Sequence, residues 1–587
     1  MFNLADSPTH GFKRPREHYV SALALFAIIG LFVAFSKLAF QSYFSDDDFS
    51  NLALARFVPW AETLKGLVSL RFELMVRPAG LLYYKILGSV AHFHFWPYVA
   101  VLQAVHIATS LMLWLFLRRL GIRPAAAAVG FLFFALHMST LPAYWKPMYL
   151  FDTLCGFWVI AALLLYQRQR IFLSLLCALF AFKSKEMELM LPAVLLLYEW
   201  WFPRNRATSR WMLLIPFFVL SFSFGLQAWM APKGPESWYT PHLTLGGMWA
   251  ALLYYGGKLF YVPWAGLVIS AGVLFLRQRL VTFGVISFWI LLAPMLLFPE
   301  RHSGVYLYVP LLAFAIVVAA VAESKPWWAV LFLIIWIPAS YERLRQERNP
   351  ILALGHENRP YVAQVLTSLP IPPVPKAVVF EGTPGDFNIW GQEGLFRYVL
   401  DKYDLPVFRV DAPEARELIR RPGSVLLTWD ISRHRLLRDD YPGDGHAVSY
   451  VDFAETNPIW QLKTGWRGLV VSYRWASARS VIRLREPRGD GLFAVDVYLL
   501  PNQGENLHQV MRVSSQGRTI VEYRFTKSGF QKFTWPVSSD AEAVKDFEIT
   551  FDPPFFPTRD SEPLGALIRS IGFLPQSGDA AHAAGHD

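Results

Sequence analysis

Cysteine is nearly absent: the chain has two in 587 residues, Cys155 and Cys177, and both lie in apolar runs. That excludes a disulfide framework and a cysteine-built metal site. Charge is also sparse, at 17% of residues against 54% hydrophobic and 16% aromatic, which excludes a single soluble domain. No small-residue cleavage pattern follows the first apolar stretch, so it reads as an anchor and not a signal peptide. Gly382-Thr383-Pro384-Gly385 is too short and too proline-interrupted for a dinucleotide fingerprint. The net charge of +10 falls in loops on one side and in the last third of the chain. Membrane topology explains that distribution better than nucleic acid does, and no nucleic-acid partner is expected.

What is abundant is apolar sequence of transmembrane length, about 17–25 residues per run. Such runs cover Val20 to Phe40, Tyr98 to Leu117, Pro124 to Leu141, Met148 to Tyr166, Trp211 to Met230, Met248 to Phe275, Leu280 to Phe298 and Val305 to Val321. Ile171 to Phe182, Leu189 to Phe202 and Trp327 to Ala339 are shorter, and fit tilted, broken or re-entrant segments. Together they predict about eleven spans.

Cytoplasmic loops are enriched in arginine and lysine, and Lys13-Arg14-Pro15-Arg16 places the N-terminus inside. Alternate loops then carry Arg118, Arg119 and Arg123; Arg168 and Arg170; Arg204, Arg206 and Arg210; Arg277 and Arg279; and Lys325. The opposite loops hold Asp46-Asp47-Asp48, Lys183-Ser184-Lys185-Glu186, Trp238-Tyr239 and Glu300-Arg301-His302. Everything after Tyr341 falls on that outer side. The expectation is a multi-pass protein of a plasma or inner membrane, with a cytoplasmic N-terminus and a periplasmic or extracellular C-terminal part.

Three adjacent carboxylates repel one another unless a cation, a proton or a basic substrate compensates them. The plain alternative for Asp46 to Asp48 is a solvated turn, or a cap for a helix starting near Phe49. The loop from Gln41 to Pro97 also contains Arg77-Pro78, with proline near a helix start. Leu81, Leu82, Tyr84, Ile86, Leu87 and Val90 then form an apolar stripe at helical spacing. That helix either packs over the bundle or lines a lipid groove. Lys258 lies deep in an apolar run, where a charge costs roughly 2.5–3.5 kcal/mol to insert and is usually functional. His106, at the centre of a run, reads as a helix–helix hydrogen-bonder. Tyr306 and Tyr308 read as interfacial anchors.

The order of these residues resembles the GT-C superfamily of membrane glycosyltransferases, particularly its protein O-mannosyltransferase branch. That branch has an acidic pair in the first outer loop followed by an Arg-Pro helix. Trp145 and Asp152 stand where it has a tryptophan and an acid, Lys183 to Glu186 is similar to its Lys-Glu segment, and Glu300-Arg301 with Tyr306-Leu307-Tyr308-Val309-Pro310 is similar to its late Glu-Arg-Tyr element. Gln103, Met138 in place of a proline after His137, and the insertion His302 to Val305 depart from the pattern. The resemblance covers Val20 to about Ala339.

It implies transfer of a sugar from a polyprenyl-phosphate donor to an acceptor glycan, lipid or protein. Asp47 or Asp48 would be the base, or ligands of a divalent metal ion, with Asp46 a third catalytic candidate that equally suits a helix cap. Lys183, Lys185, Arg301 and Lys258 would meet the donor phosphate, supported by Arg77, Glu186, Glu300 and Asp152. Readings from other classes are a lipid-linked sugar transporter or flippase, and a non-catalytic glycan-binding scaffold.

Past residue 340, residues 341–375 read as a charged and then proline-rich linker. Residues 376–440 read as a small α/β unit and 455–576 as a β-sandwich of short alternating strands, with 577–587 a disordered tail. The sandwich resembles jelly-roll, carbohydrate-binding-like modules through Gly465-Trp466, Arg474-Trp475 and Asp560 to Gly565. The predicted architecture is thus a multi-span helical membrane bundle, GT-C-like, followed by a soluble α/β unit and a β-sandwich.

Overall fold

All eleven apolar runs are helical, because an apolar segment that leaves water must satisfy its backbone internally. The computed structural model describes residues 15–71, 77–202, 210–230, 241, 244–385, 387–443, 446–500, 508–556 and 562–574. It divides into two units, Met1–His356 and Glu357–Asp587.

Among the described residues of the first unit, five helices are long and apolar enough to cross a membrane: Ala22–Gln41, Phe95–Arg119, Pro147–Gln167, Trp211–Met230 and Arg279–Leu297. The pair Leu245–Phe260 and Ala265–Leu274, bent by 81°, makes a sixth if taken as one span. Pro124–Ala135, Ile171–Ser184 and Pro310–Ser324 are shorter apolar helices. The count of about eleven is therefore a count of apolar helical runs, of which five or six reach spanning length. Phe26 and Phe222 are 74% and 72% exposed on these helices, a disposition suited to lipid and costly in water. Inside the bundle, a Cβ on Gly156 would lie 2.6 Å from the Tyr308 ring, so glycine is what lets these elements approach.

The long loop after the first span is helical as its stripe predicts, with helices Asp46–Phe57, Trp60–Val68 and Pro78–Val90. Two loop sets separate by contact. Arg123 pairs with Glu323, and the Trp201 indole donates to the Arg279 carbonyl, within the arginine-rich set. Asp47, Glu186 and Arg301 gather elsewhere.

The expected linker is a correction. Helix Pro326–Ser368 runs through most of it, and only residues 369–375, a turn and bends, remain to join it to the next strand. Its charges sit at helical spacing, as in the Arg343–Glu347 pair, and support the helix until the proline cluster ends it.

The second unit opens with strands β1 (Ala377–Glu381), β2 (Val407–Arg409), β3 (Ser424–Asp430) and β4 (Arg435–Asp440), in the order β2-β1-β3-β4. The first three are parallel and β4 is antiparallel. Strands β1 and β3 are buried along their whole length, as the continuous apolar runs predict.

Nine further strands follow: β5 (Tyr450–Asp452), β6 (Leu462–Val470), β7 (Tyr473–Glu486), β8 (Gly489–Leu499), β9 (Val510–Ser515), β10 (Arg518–Arg524), β11 (Gly529–Ser539), β12 (Ala543–Asp552) and β13 (Leu564–Leu574). They form one antiparallel sheet ordered β10-β9-β12-β7-β13-β8-β11, with β5 on β13 and β6 on β7. Tyr523 of β10 packs its ring 4.0 Å from Phe533 of β11, so the two ends of the strand order meet over a shared apolar core. Because β5 pairs with β13, this β-rich part begins at Tyr450 and not at 455. Asp560 and residues 577–587 lie outside the described residues.

The residues quoted for a carbohydrate-binding likeness serve the fold. Gly465 has φ +78°, and a Cβ there would lie 2.0 Å from the Arg479 carbonyl oxygen. The Trp466 indole donates to the Val481 carbonyl at 2.9 Å. Arg474 is buried in an ion pair with Glu381, beside the Asn457 amide.

Candidate active site

Ser45 ends an extended segment, and the next three residues form the first turn of helix Asp46–Phe57. Carboxylates are stabilised there by the helix dipole and the unpaired amides. Ser45, and not Asp46, occupies the cap position. Its backbone N–H donates to Asp48 Oδ2 at 2.7 Å, the acidic half of a capping box. Asp48 Oδ1 accepts from the Tyr84 hydroxyl at 2.6 Å, so this fully buried carboxyl is engaged on both oxygens. Burial pushes it up to about 7, against the pull of Tyr84, Ser45 and Lys146.

The other end of the same helix is held by Lys85, whose Nζ donates to the Ala55 carbonyl at 2.7 Å. Helix Pro78–Val90 therefore fixes helix Asp46–Phe57 near both ends, with Asp47 one residue before the anchored Asp48. Asp47 is solvent-accessible, and its backbone N–H donates to Asp46 Oδ1 at 2.8 Å. Lost hydration in its recess raises its carboxyl, while Lys146, Arg77 and Arg301 draw it back down.

Arg77 precedes Pro78 with φ 60° and ψ 48°, a left-handed conformation that is strained for a residue with a side chain. From there its guanidinium forks onto Glu186, with Nε to Oε2 at 2.8 Å and Nη2 on Oε1. Burial alone would raise Glu186, yet the Arg77 fork holds it at about 2. Lys185 Nζ donates to Asp152 Oδ1 at 2.5 Å and lies 4.8 Å from the centre of the Tyr306 ring. Arg301 Nε donates to the Tyr306 hydroxyl at 2.5 Å. One patch thus joins Asp47, Arg77, Lys146, Asp152, Lys185, Glu186, Arg301 and Tyr306.

The remaining expected site residues have other surroundings as well. Lys183 is fully buried and donates to the Arg71 carbonyl at 3.3 Å, with the Phe224 ring 5.1 Å away. Lys258 sits 3.6 Å from Glu347, which also pairs with Arg343. Glu300 is exposed. His106 bonds Tyr308 at 2.8 Å and the Ala135 carbonyl at 3.2 Å, as the helix–helix reading expects. Tyr308 is fully buried beside it, which corrects its reading as an interfacial anchor.

Lys146 and Glu188 belong to the site and were not singled out in the sequence, whereas Tyr306, read there as an interfacial anchor, accepts from Arg301 and lies against Lys185. For Lys146 a signal existed: a lone lysine between Trp145 and Pro147, in an otherwise apolar stretch that also supplies Asp152.

The donor set does not suit a metal at Asp47 and Asp48. Both Asp48 oxygens are occupied, and among the described residues no group of three or more His, Cys, Asp or Glu is placed to hold an ion.

Beside the charged patch runs an apolar groove of about 450 Å³. Ala79, Leu82 and Ile86 line it from the helix that Arg77 opens, Leu154 and Trp158 from the helix that carries Asp152, and Phe180 from the helix that leads to Lys185. The same three elements therefore carry charge at one end and an apolar wall along their length.

No protein-family model matches the chain, and no curated protein matches it significantly. Among solved structures, ArnT from Cupriavidus metallidurans in the apo state is 13% identical with a TM-score of 0.43, over 68% of this chain and 92% of ArnT. ArnT bound to undecaprenyl phosphate gives 12% and 0.42, over 69% and 93%. Arabinofuranosyltransferase AftD from Mycobacteria gives 12% and 0.43, over 98% of this chain and 59% of AftD. At these scores the likeness describes the chain trace and carries nothing about the side chains of the site.

Proposed function

We propose that the chain is a membrane glycosyltransferase of the GT-C type, moving a sugar from a polyprenyl-phosphate-linked donor to an acceptor hydroxyl. One observation carries this reading: an accessible carboxyl, Asp47, lies among Lys146, Arg77 and Arg301, and the helix that Arg77 opens also lines an apolar groove. A polyprenyl donor has this division, with an apolar tail and an anionic head.

Asp47 accepts the acceptor's hydroxyl proton as its oxygen bonds to the anomeric carbon of the donor sugar. The bond from that carbon to the phosphate oxygen breaks, and its electron pair leaves with the polyprenyl phosphate. The cations of the patch stabilise the departing charge. A base raised above the ordinary aspartate value is better matched to a neutral medium. Asp48 positions the helix start and is not the base, because it is sealed from substrate.

The arginine distribution supports an outward-facing site in a plasma or inner membrane, with the second unit periplasmic or extracellular. The acceptor class, whether glycan, lipid or a hydroxyl side chain of a protein, belongs to the same proposal. The protein O-mannosyltransferase resemblance favours the last.

Mass spectrometry of lipids and envelope glycans from a strain lacking the chain tests the reading. Loss of one sugar from a glycan or protein, with accumulation of one polyprenyl-phosphate sugar, is expected. An unchanged profile would contradict it, and lipid-linked sugar trapped on the inner leaflet would indicate a transporter.

A further inference from the structure

Glu188 closes the short helix Glu186–Glu188, behind the patch. It is 4% exposed, and its Oε2 is buried with no hydrogen-bond partner among the described residues. Glu188 borders a small cavity, with room for about one water, shared with Asp152, Cys155, Lys185 and Tyr306. The rest of the lining, including Leu291, Met295 and Val309, is apolar.

The charges that face Glu188 can be counted. Helix Leu150–Gln167 contributes Asp152 and the Cys155 thiol, and the preceding residue but two contributes Lys185. Segment Gly304–Leu307 contributes the Tyr306 phenol, and Glu186 lies on Glu188's own turn. Arg77 matches Glu186, and Lys185 matches Asp152. A second carboxylate beside Lys185 would be buried without its own cation, so Glu188 resides there as a neutral acid. Burial, reinforced by Asp152, pushes its carboxyl up to about 8 despite Lys185.

We propose that Glu188 is a positioning residue for donor binding: as a neutral carboxylic acid it donates, through one water in this cavity, to the Asp152–Lys185 pair. Its ionisation then sets an unmatched negative charge beside the donor-phosphate site. The inference rests on the glycosyltransferase reading and adds a pH limit to it. Donor affinity is full while Glu188 keeps its proton and falls as the proton leaves.

The test is calorimetric titration of the detergent-solubilised full chain with farnesyl phosphate, between about pH 7 and about pH 9.5, where the phosphate's second proton is already lost. Wild-type affinity should weaken above about pH 8, by up to about tenfold per pH unit. Glu188→Gln, which keeps a donor but cannot ionise, should flatten the curve. Glu188→Met, which removes the donor, should weaken binding several-fold at neutral pH, so that Gln rescues what Met loses. A flat wild-type curve, or a fall that persists in Glu188→Gln, overturns the proposal, as does a Met variant that binds like wild type. If Met does not fold, the other two curves still decide. Absence of binding at every pH overturns the donor reading and this proposal with it.

Discussion

Replacing Asp48 by asparagine should change sign in its effect on stability across the acid-to-neutral range. The folded chain holds the Asp48 proton up to about pH 7, whereas an ordinary aspartate releases it near 3.8. A folded-state value above the unfolded one means stability is fully present below the unfolded value and is lost as pH rises through the folded one. The gap of about three pH units corresponds to ~4 kcal/mol at about 1.4 kcal/mol per unit. Asparagine cannot ionise, but it offers one oxygen where Asp48 accepts from both Ser45 and Tyr84, at a cost of about 1–2 kcal/mol. Near pH 4 the variant should therefore be less stable by about 1 kcal/mol, and near pH 8 more stable by about 2 kcal/mol. Reversible unfolding in mixed non-ionic and dodecyl sulfate micelles measures both. A stability difference that is constant between those pH values would refute the buried-acid account of Asp48.

Filling the groove with Ala79→Trp or Leu154→Trp should raise KM for long-chain donors and leave short-chain donors nearly unaffected, as competition between chain lengths would show. Arg474→Met leaves the buried Glu381 without its cation and should cost ~3–5 kcal/mol, read from thermal loss of the β signal. The double variant with Glu381→Gln should recover part of that loss; a double loss equal to the sum of the two single losses would show that the pair is not coupled.

Much of the helical architecture was legible because membrane burial writes itself as uninterrupted apolar sequence. The Arg77-Pro78 start and the stripe through Leu81 and Leu87 foretold helix Pro78–Val90. The extent of helix Pro326–Ser368 was hidden, since charged, proline-bearing sequence after an apolar run also describes a linker; the Arg343–Glu347 spacing was the overlooked sign. Ser45-x-x-Asp48 was readable as a capping pattern, which would have separated Asp48 from Asp47. Which cation meets which carboxylate was not readable. Arg77 and Glu186 are far apart in sequence, and Lys183 and Lys185 differ by two residues yet contact different elements. Glu188 carries no sequence sign at all, because its burial is made by segments distant in the chain.

The most direct test of the central claim is sugar transfer by reconstituted wild type and Asp47→Asn from a polyprenyl-phosphate donor, with donor binding measured on the same preparations. General-base loss predicts transfer reduced about 100- to 10,000-fold with donor binding retained. Transfer by Asp47→Asn at the wild-type rate would contradict the account.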